Sequence, residues 1–91
     1  MNLPKYKVAA VQASPVFLNP KATTEKVCDL IKEASQNGAQ LIAFPEVFIP
    51  AYPYWSWIMN PIEGSKYFER LYVNSIDING PEIKKICESA K

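Results

Sequence analysis

No histidine occurs anywhere in the chain, so Ser-His and Cys-His catalysis cannot be completed within it. The two cysteines, Cys28 and Cys87, lie far apart, in neither a metal-ligand nor a C-x-x-C spacing. They cannot supply the usual four ligands of a zinc site. No stretch reaches the roughly eighteen apolar residues of a membrane span, and the opening Met1-Asn2-Leu3-Pro4-Lys5-Tyr6-Lys7 lacks the apolar core of a signal peptide. An excess of one charge is missing too. Ten Lys and Arg stand against nine Asp and Glu, a net charge of +1, evenly mixed, so there is neither a basic stripe for nucleic acid nor an acidic tail. These absences lead to the expectation of a soluble, cytoplasmic chain with no nucleic-acid and no membrane partner.

What remains is ordinary globular sequence, 48% hydrophobic and 21% charged over 91 residues. A chain this short can form one small core with little apolar burial in reserve. Lys7 to Gln12 is a short apolar run that reads as a buried strand. A loop through Phe17 and Leu18 leads to Asn19-Pro20, a helix start with Asn as N-cap and Pro at the first helical position. Val27, Leu30, Ile31 and Ala34 then recur at helical spacing, opposite Glu25, Lys26, Asp29, Lys32 and Glu33. Asn37-Gly38 stops this helix, because Gly suits the left-handed cap.

Leu41 to Phe44 reads as a second strand, which completes the size and order of a βαβ unit with parallel strands. Runs apolar throughout suit strands covered on both faces. After residue 46, Pro50, Pro53 and Pro61 break regular structure and force a long aromatic loop. Ser65 is expected to cap a short helix to about Tyr72, with Tyr67, Phe68, Leu71 and Tyr72 on a largely apolar face. Asn79-Gly80-Pro81 opens a last helix carrying Ile83, Ile86, Cys87 and Ala90 at i, i+3, i+4 and i+7. No stop signal or following strand appears, so residues 1–91 are expected to form the first third or so of a longer α/β domain.

One carboxylate stands out. Glu46 follows the strand and a proline, at the carboxyl end where open α/β folds place their chemistry. From Val47 to Ile62 no charged residue occurs, and a carboxylate among such groups is expected to lose hydration and have its pKa raised toward the range useful for proton transfer. A surface Glu beginning a loop, or a carboxylate capping local backbone N–H groups, fits the same residues.

The segment Gly38-Ala39-Gln40-Leu41-Ile42-Ala43-Phe44-Pro45-Glu46-Val47-Phe48-Ile49-Pro50-Ala51-Tyr52-Pro53 resembles the first signature of the nitrilase superfamily of carbon-nitrogen hydrolases. It departs from that signature at one position, where Ala51 replaces a Gly. The opening Val8-Ala9-Ala10-Val11-Gln12-Ala13-Ser14-Pro15-Val16-Phe17 looks like the family's first strand. Tyr52-Pro53-Tyr54-Trp55-Ser56-Trp57-Ile58-Met59 resembles its nitrile-hydrolysing branch more than its amidase branches.

The resemblance, which covers essentially the whole chain, implies the amino-terminal portion of a four-layer αββα sandwich, incomplete here. It implies that Glu46 is the general base of a Glu-Lys-Cys triad whose Lys and nucleophilic Cys lie beyond Lys91. It implies a small-molecule nitrile as substrate, a carboxylic acid and ammonia as products, no metal or organic cofactor, and homo-oligomeric full-length relatives. Tyr52, Tyr54, Trp55 and Trp57 could wall the substrate pocket, or fill core or a subunit interface. Cys28 and Cys87 are expected to be packing residues on apolar helix faces, and Lys32 and Lys84 solvated on polar ones. If the Gly replaced by Ala51 needs positive φ, the substitution costs on the order of 1 kcal/mol and shifts the loop. An amidase or cyanide-hydrating relative is the nearest enzymatic rival. A short non-catalytic α/β module binding a partner through the aromatic loop is the rival of another class.

Overall fold

The computed structural model describes residues 3–91. Strand β1 (Val8–Ala10) is followed by helix α1 (Pro20–Gln36), strand β2 (Leu41–Ala43), a 3-10 turn at Tyr54–Trp57, and helices α2 (Pro61–Val73) and α3 (Pro81–Ser89). Both strands are shorter than the apolar runs that carry them. β1 and β2 pair in parallel, Val8 opposite Leu41, Ala9 opposite Ile42 and Ala10 opposite Ala43. Bonds from the Gln40 N–H to the Lys7 carbonyl (2.7 Å) and from the Val11 N–H to the Ala43 carbonyl (2.8 Å) carry the ladder a step further at each end.

Helix α1 begins and ends on the signals in its sequence. The Asn19 side chain accepts from the Ala22 N–H at 3.0 Å, which satisfies one of the donors that a helix start leaves free. At the other end Gly38 has φ 86°, and the N–H groups of Gly38 and Ala39 donate to the carbonyls of Ser35 and Ala34 at 2.9 and 3.0 Å. This is the paired closure that a left-handed glycine makes available. The loop before α1 is tied to it by Thr23, which is fully buried. Its hydroxyl accepts from the Val16 N–H at 3.1 Å and donates to the Val16 carbonyl at 2.9 Å.

The core lies in two patches. Val27 and Ile31 of α1 bury with Phe48, joined by Ala13, Ile42, Phe44, Ile49 and Ile86. Full burial of each large apolar side chain is worth about 1.5–3 kcal/mol, so this patch fixes α1 and α3 against the sheet. Leu18, Ala51 and Trp55 form the second patch with Met59, Tyr67 and Leu71. α3 is held across α1 chiefly by Ile86; the Lys85–Glu25 pair, at 3.7 Å with both side chains half-exposed, adds little because water screens it.

Several expectations need correction. The strands are covered on one face only: Val8 and Leu41 are 61% and 63% exposed, beside exposed Ala10 and Ala43. The described residues place α1 against the Ala9–Ile42 face and nothing against the other. Ser65 does not cap α2. The cap is Asn60, whose side chain accepts from the Glu63 N–H at 2.8 Å, with Pro61 in the first turn where its missing N–H is not needed. The proline-rich stretch is therefore less irregular than its composition suggests, with a 3-10 turn from Tyr54 and a helix from Pro61. Cys87 is exposed rather than packed, while Cys28 is half-buried and its thiol lies 3.8 Å from the Lys85 carbonyl.

The chain extends 55 × 28 × 22 Å with a radius of gyration of 15.9 Å, against about 12 Å for a compact domain of this length. No helix among the described residues is long and apolar enough to cross a membrane.

Candidate active site around Glu46

β2 ends at Ala43 and delivers the chain to Phe44, Pro45 and Glu46. Glu46 and Val47 form a turn, and Phe48 drops back into the core beside Val27 and Ile31. The Phe44 and Phe48 rings meet at 5.8 Å with planes tilted by 44°, a spacing at which aromatic pairs attract. Glu46 thus sits at the apex of a turn whose two feet are stapled together. Val47 takes φ 53°, a left-handed conformation that a β-branched side chain rarely adopts.

The hydration expected to be lost at Glu46 is retained: its side chain is exposed. The apolar stretch that follows it in sequence turns away into the second core patch instead of folding over it. Among the described residues no hydrogen bond or ion pair holds the Glu46 carboxylate, and the turn beneath it sets only where its Cα–Cβ bond starts.

The aromatic residues after Glu46 divide by fate. Trp55 is 4% exposed, with the rings of Phe17, Tyr67 and Phe68 at 5.9, 5.5 and 5.1 Å. Its place is in the core, where it anchors the 3-10 turn to α2. Its Nε1 is buried without a hydrogen-bond partner among the described residues. Tyr52 is half-buried and Tyr54 exposed, and their rings face each other at 5.5 Å with a 52° tilt. They make an open aromatic shelf rooted in buried Ala51 and Trp55. Trp57 points into solvent.

Ala51 is completely buried and is not among the residues with positive φ, which outside glycine are, among the described residues, Leu18 and Val47. The feared backbone penalty does not arise there, since the methyl group packs into the second core patch. The Ile49–Pro50 peptide is cis. Hollows of about 290 to 390 Å³ lie along α1, β1, β2 and α3, and none is lined by Glu46, Tyr52, Tyr54 or Trp55. Among the described residues no group of three His, Cys, Asp or Glu side chains converges as metal ligands.

A strand-end carboxylate on an aromatic staple, followed in the chain by an aromatic shelf, occupies the segment that carries the family signature. The model of the carbon-nitrogen hydrolase family matches residues 7–91. The chain belongs to the carbon-nitrogen hydrolase family. It is 54% identical over 88 residues to a nitrilase of Bacillus sp. (strain OxB-1), covering 97% of this chain and 26% of that protein. It is 42% identical over 87 residues to an aliphatic nitrilase of Rhodococcus rhodochrous, 94% of this chain and 24% of that protein. A cyanide hydratase of Leptosphaeria maculans is 42% identical over 91 residues, the whole chain and 26% of that protein. The chain therefore spans about a quarter of the length of these relatives, in keeping with the expected portion of a longer hydrolase.

Some of this site had no sequence signal. The left-handed Val47 is the residue type least suited to that conformation, and Gly64, which lets α2 approach the Trp55 indole, reads in sequence only as a weak point in a helix.

Proposed function

We propose that this chain supplies the general base and part of the substrate wall of a nitrilase, a hydrolase of non-peptide carbon-nitrogen bonds that converts a nitrile to a carboxylic acid and ammonia. The observation that carries the reading is the position of Glu46. It stands solvent-accessible at the carboxyl end of β2, in the matched family region of a chain 54% identical to a nitrilase.

In this reading Glu46 takes the proton of a cysteine thiol supplied by the rest of the protein, and the thiolate adds to the nitrile carbon. A lysine ammonium beside the nitrogen stabilises the negative charge that develops there. Glu46 then activates water; one water displaces ammonia and leaves a thioester, and a second releases the acid and restores the thiol. Two waters enter, and one acid and one ammonia leave. Tyr52 and Tyr54 line the approach, and Trp55 supports them from the core.

The bare Val8, Ala10, Leu41 and Ala43 face supports a second sheet packed there in the complete four-layer αββα domain, of which residues 1–91 are one part, since sheets with apolar faces pack against each other. Exposed Trp57, Ile58 and Ile62 are consistent with subunit contacts in a homo-oligomer. Free Cys28 and Cys87 fit a reducing, cytoplasmic compartment.

The test is product analysis of the full-length protein and its Glu46→Gln variant. Acid and ammonia from the parent, and a loss of turnover by about 100-fold or more in the variant, are expected. An amide as end product would reassign the protein to the hydratases. Undiminished turnover by Glu46→Gln would remove Glu46 from the chemistry. The 91-residue polypeptide alone should release no ammonia above its own Glu46→Gln control.

A further inference from the structure

Among the described residues two non-glycine residues have left-handed backbones, Leu18 and Val47, both with φ 53°. Such a conformation crowds the Cβ of any L-residue and persists only where the surroundings impose it. For Leu18 the compensation is its own burial, since its side chain is 5% exposed and packs with Ala51 and Trp55. Val47 has no such return. Its side chain is 43% exposed, so packing of the residue itself against the described residues does not account for its backbone.

What the conformation accomplishes lies on either side of it. A left-handed residue directly after Glu46 folds the chain back at once, so that Phe48 reaches both Phe44 and the Val27–Ile31 face of α1. A negative φ at Val47 would carry the chain away from the fold-back by which Phe48 reaches Phe44. No side-chain partner among the described residues steadies the carboxylate, and the turn places the Cα–Cβ bond from which it extends.

From this we infer that Val47 is a positioning residue, whose strained left-handed backbone, held by the Phe44–Phe48 staple, places the Glu46 Cα–Cβ bond so that its carboxylate can reach the thiol for proton transfer. The inference rests on the reading of Glu46 as general base. It makes the backbone angle at residue 47 the requirement, whatever side chain is present, and it places the effect on the chemical step instead of on substrate binding.

The experiment uses the full-length protein with Val47→Pro, Val47→Asn and Val47→Gly, assayed beside Glu46→Gln. Proline cannot reach positive φ, and misplacing the base should lower kcat by about 10- to 100-fold with KM held within about twofold. Asparagine and glycine tolerate the left-handed region and should keep kcat within about threefold of the parent, with the melting temperature unchanged or raised as strain is relieved. A proline variant with parental kcat overturns the inference. So does an asparagine variant as impaired as the proline one, because the valine side chain would then be the requirement. If the proline variant does not fold, the other two decide: low kcat or a lowered melting temperature in both refutes a left-handed requirement. Activity in Glu46→Gln would defeat the general-base reading itself, whereas an inactive Glu46→Gln with an active Val47→Pro defeats only the role of Val47.

Discussion

Replacing Gly64 with alanine sets two effects of opposite sign against each other. In a helix interior a Cβ gains about 0.8–1 kcal/mol over glycine, and less at the fourth residue of α2, where Gly64 sits. Against this, the added Cβ would stand 3.0 Å from Trp55 Cδ1, 3.5 Å from Nε1 and 3.9 Å from Met59 Cβ. The first separation is too short for two carbon atoms, so something must move. The indole is poorly placed to do so, wedged among Phe17, Tyr67 and Phe68 and almost wholly buried. Forcing extra volume into such packing costs about 1–3 kcal/mol. The expected balance for Gly64→Ala is a net loss of about 0.5–2.5 kcal/mol, with about half of the propensity gain realised at this position. Urea denaturation of the full-length protein, followed by tryptophan fluorescence, would read this as a lowered midpoint at unchanged m. The contact is isolated by repeating the change in a Trp55→Phe background, where the smaller ring frees the space. There Gly64→Ala should become neutral or stabilising, a coupling of at least about 0.5 kcal/mol. Stabilisation by Gly64→Ala in the parent, or identical effects in both backgrounds, would refute the close approach of α2 to Trp55.

Substitutions at two further positions probe the supports of the site. Ala51→Gly removes a fully buried methyl group and adds backbone freedom, and should cost about 1–2 kcal/mol in denaturation midpoint; a gain in stability would mean that the position demands positive φ after all. Thr23→Val keeps the shape but strips the Val16 N–H and carbonyl of their shared hydroxyl, a loss of about 1–3 kcal/mol. Thr23→Ser, which retains that hydroxyl, should lose less, and a Thr23→Val variant as stable as the parent would show that the hydroxyl bonds carry no weight.

Residue types and spacing determined much of this molecule directly. Asn19-Pro20 and Asn37-Gly38 bound α1 because the cap side chain and the left-handed glycine act within a few residues of themselves. The same Asn-Pro pair at residues 60 and 61 starts α2 by the same local chemistry; it was obscured by reading Pro61 only as a breaker. The parallel order of β1 and β2 and the placing of Glu46 at a strand end follow from the succession of apolar runs and a helix. Membership in the carbon-nitrogen hydrolase family follows from the long signature around Glu46.

Tertiary structure decided the rest, because it depends on which surfaces meet. Nothing local distinguishes Trp55 from Trp57, two residues on the same 3-10 turn. One is buried against Gly64, Tyr67 and Phe68, and the other is left in water. The exposure of Glu46 was likewise hidden, since its apolar neighbours in sequence pack around Leu18 and Ala51 and away from its carboxylate. The left-handed backbone of Val47 runs against its residue type. Long-range packing of Phe48 on Phe44 and α1 outweighs that local preference, and this is why Glu46 could be found in the sequence but the device that aims it could not.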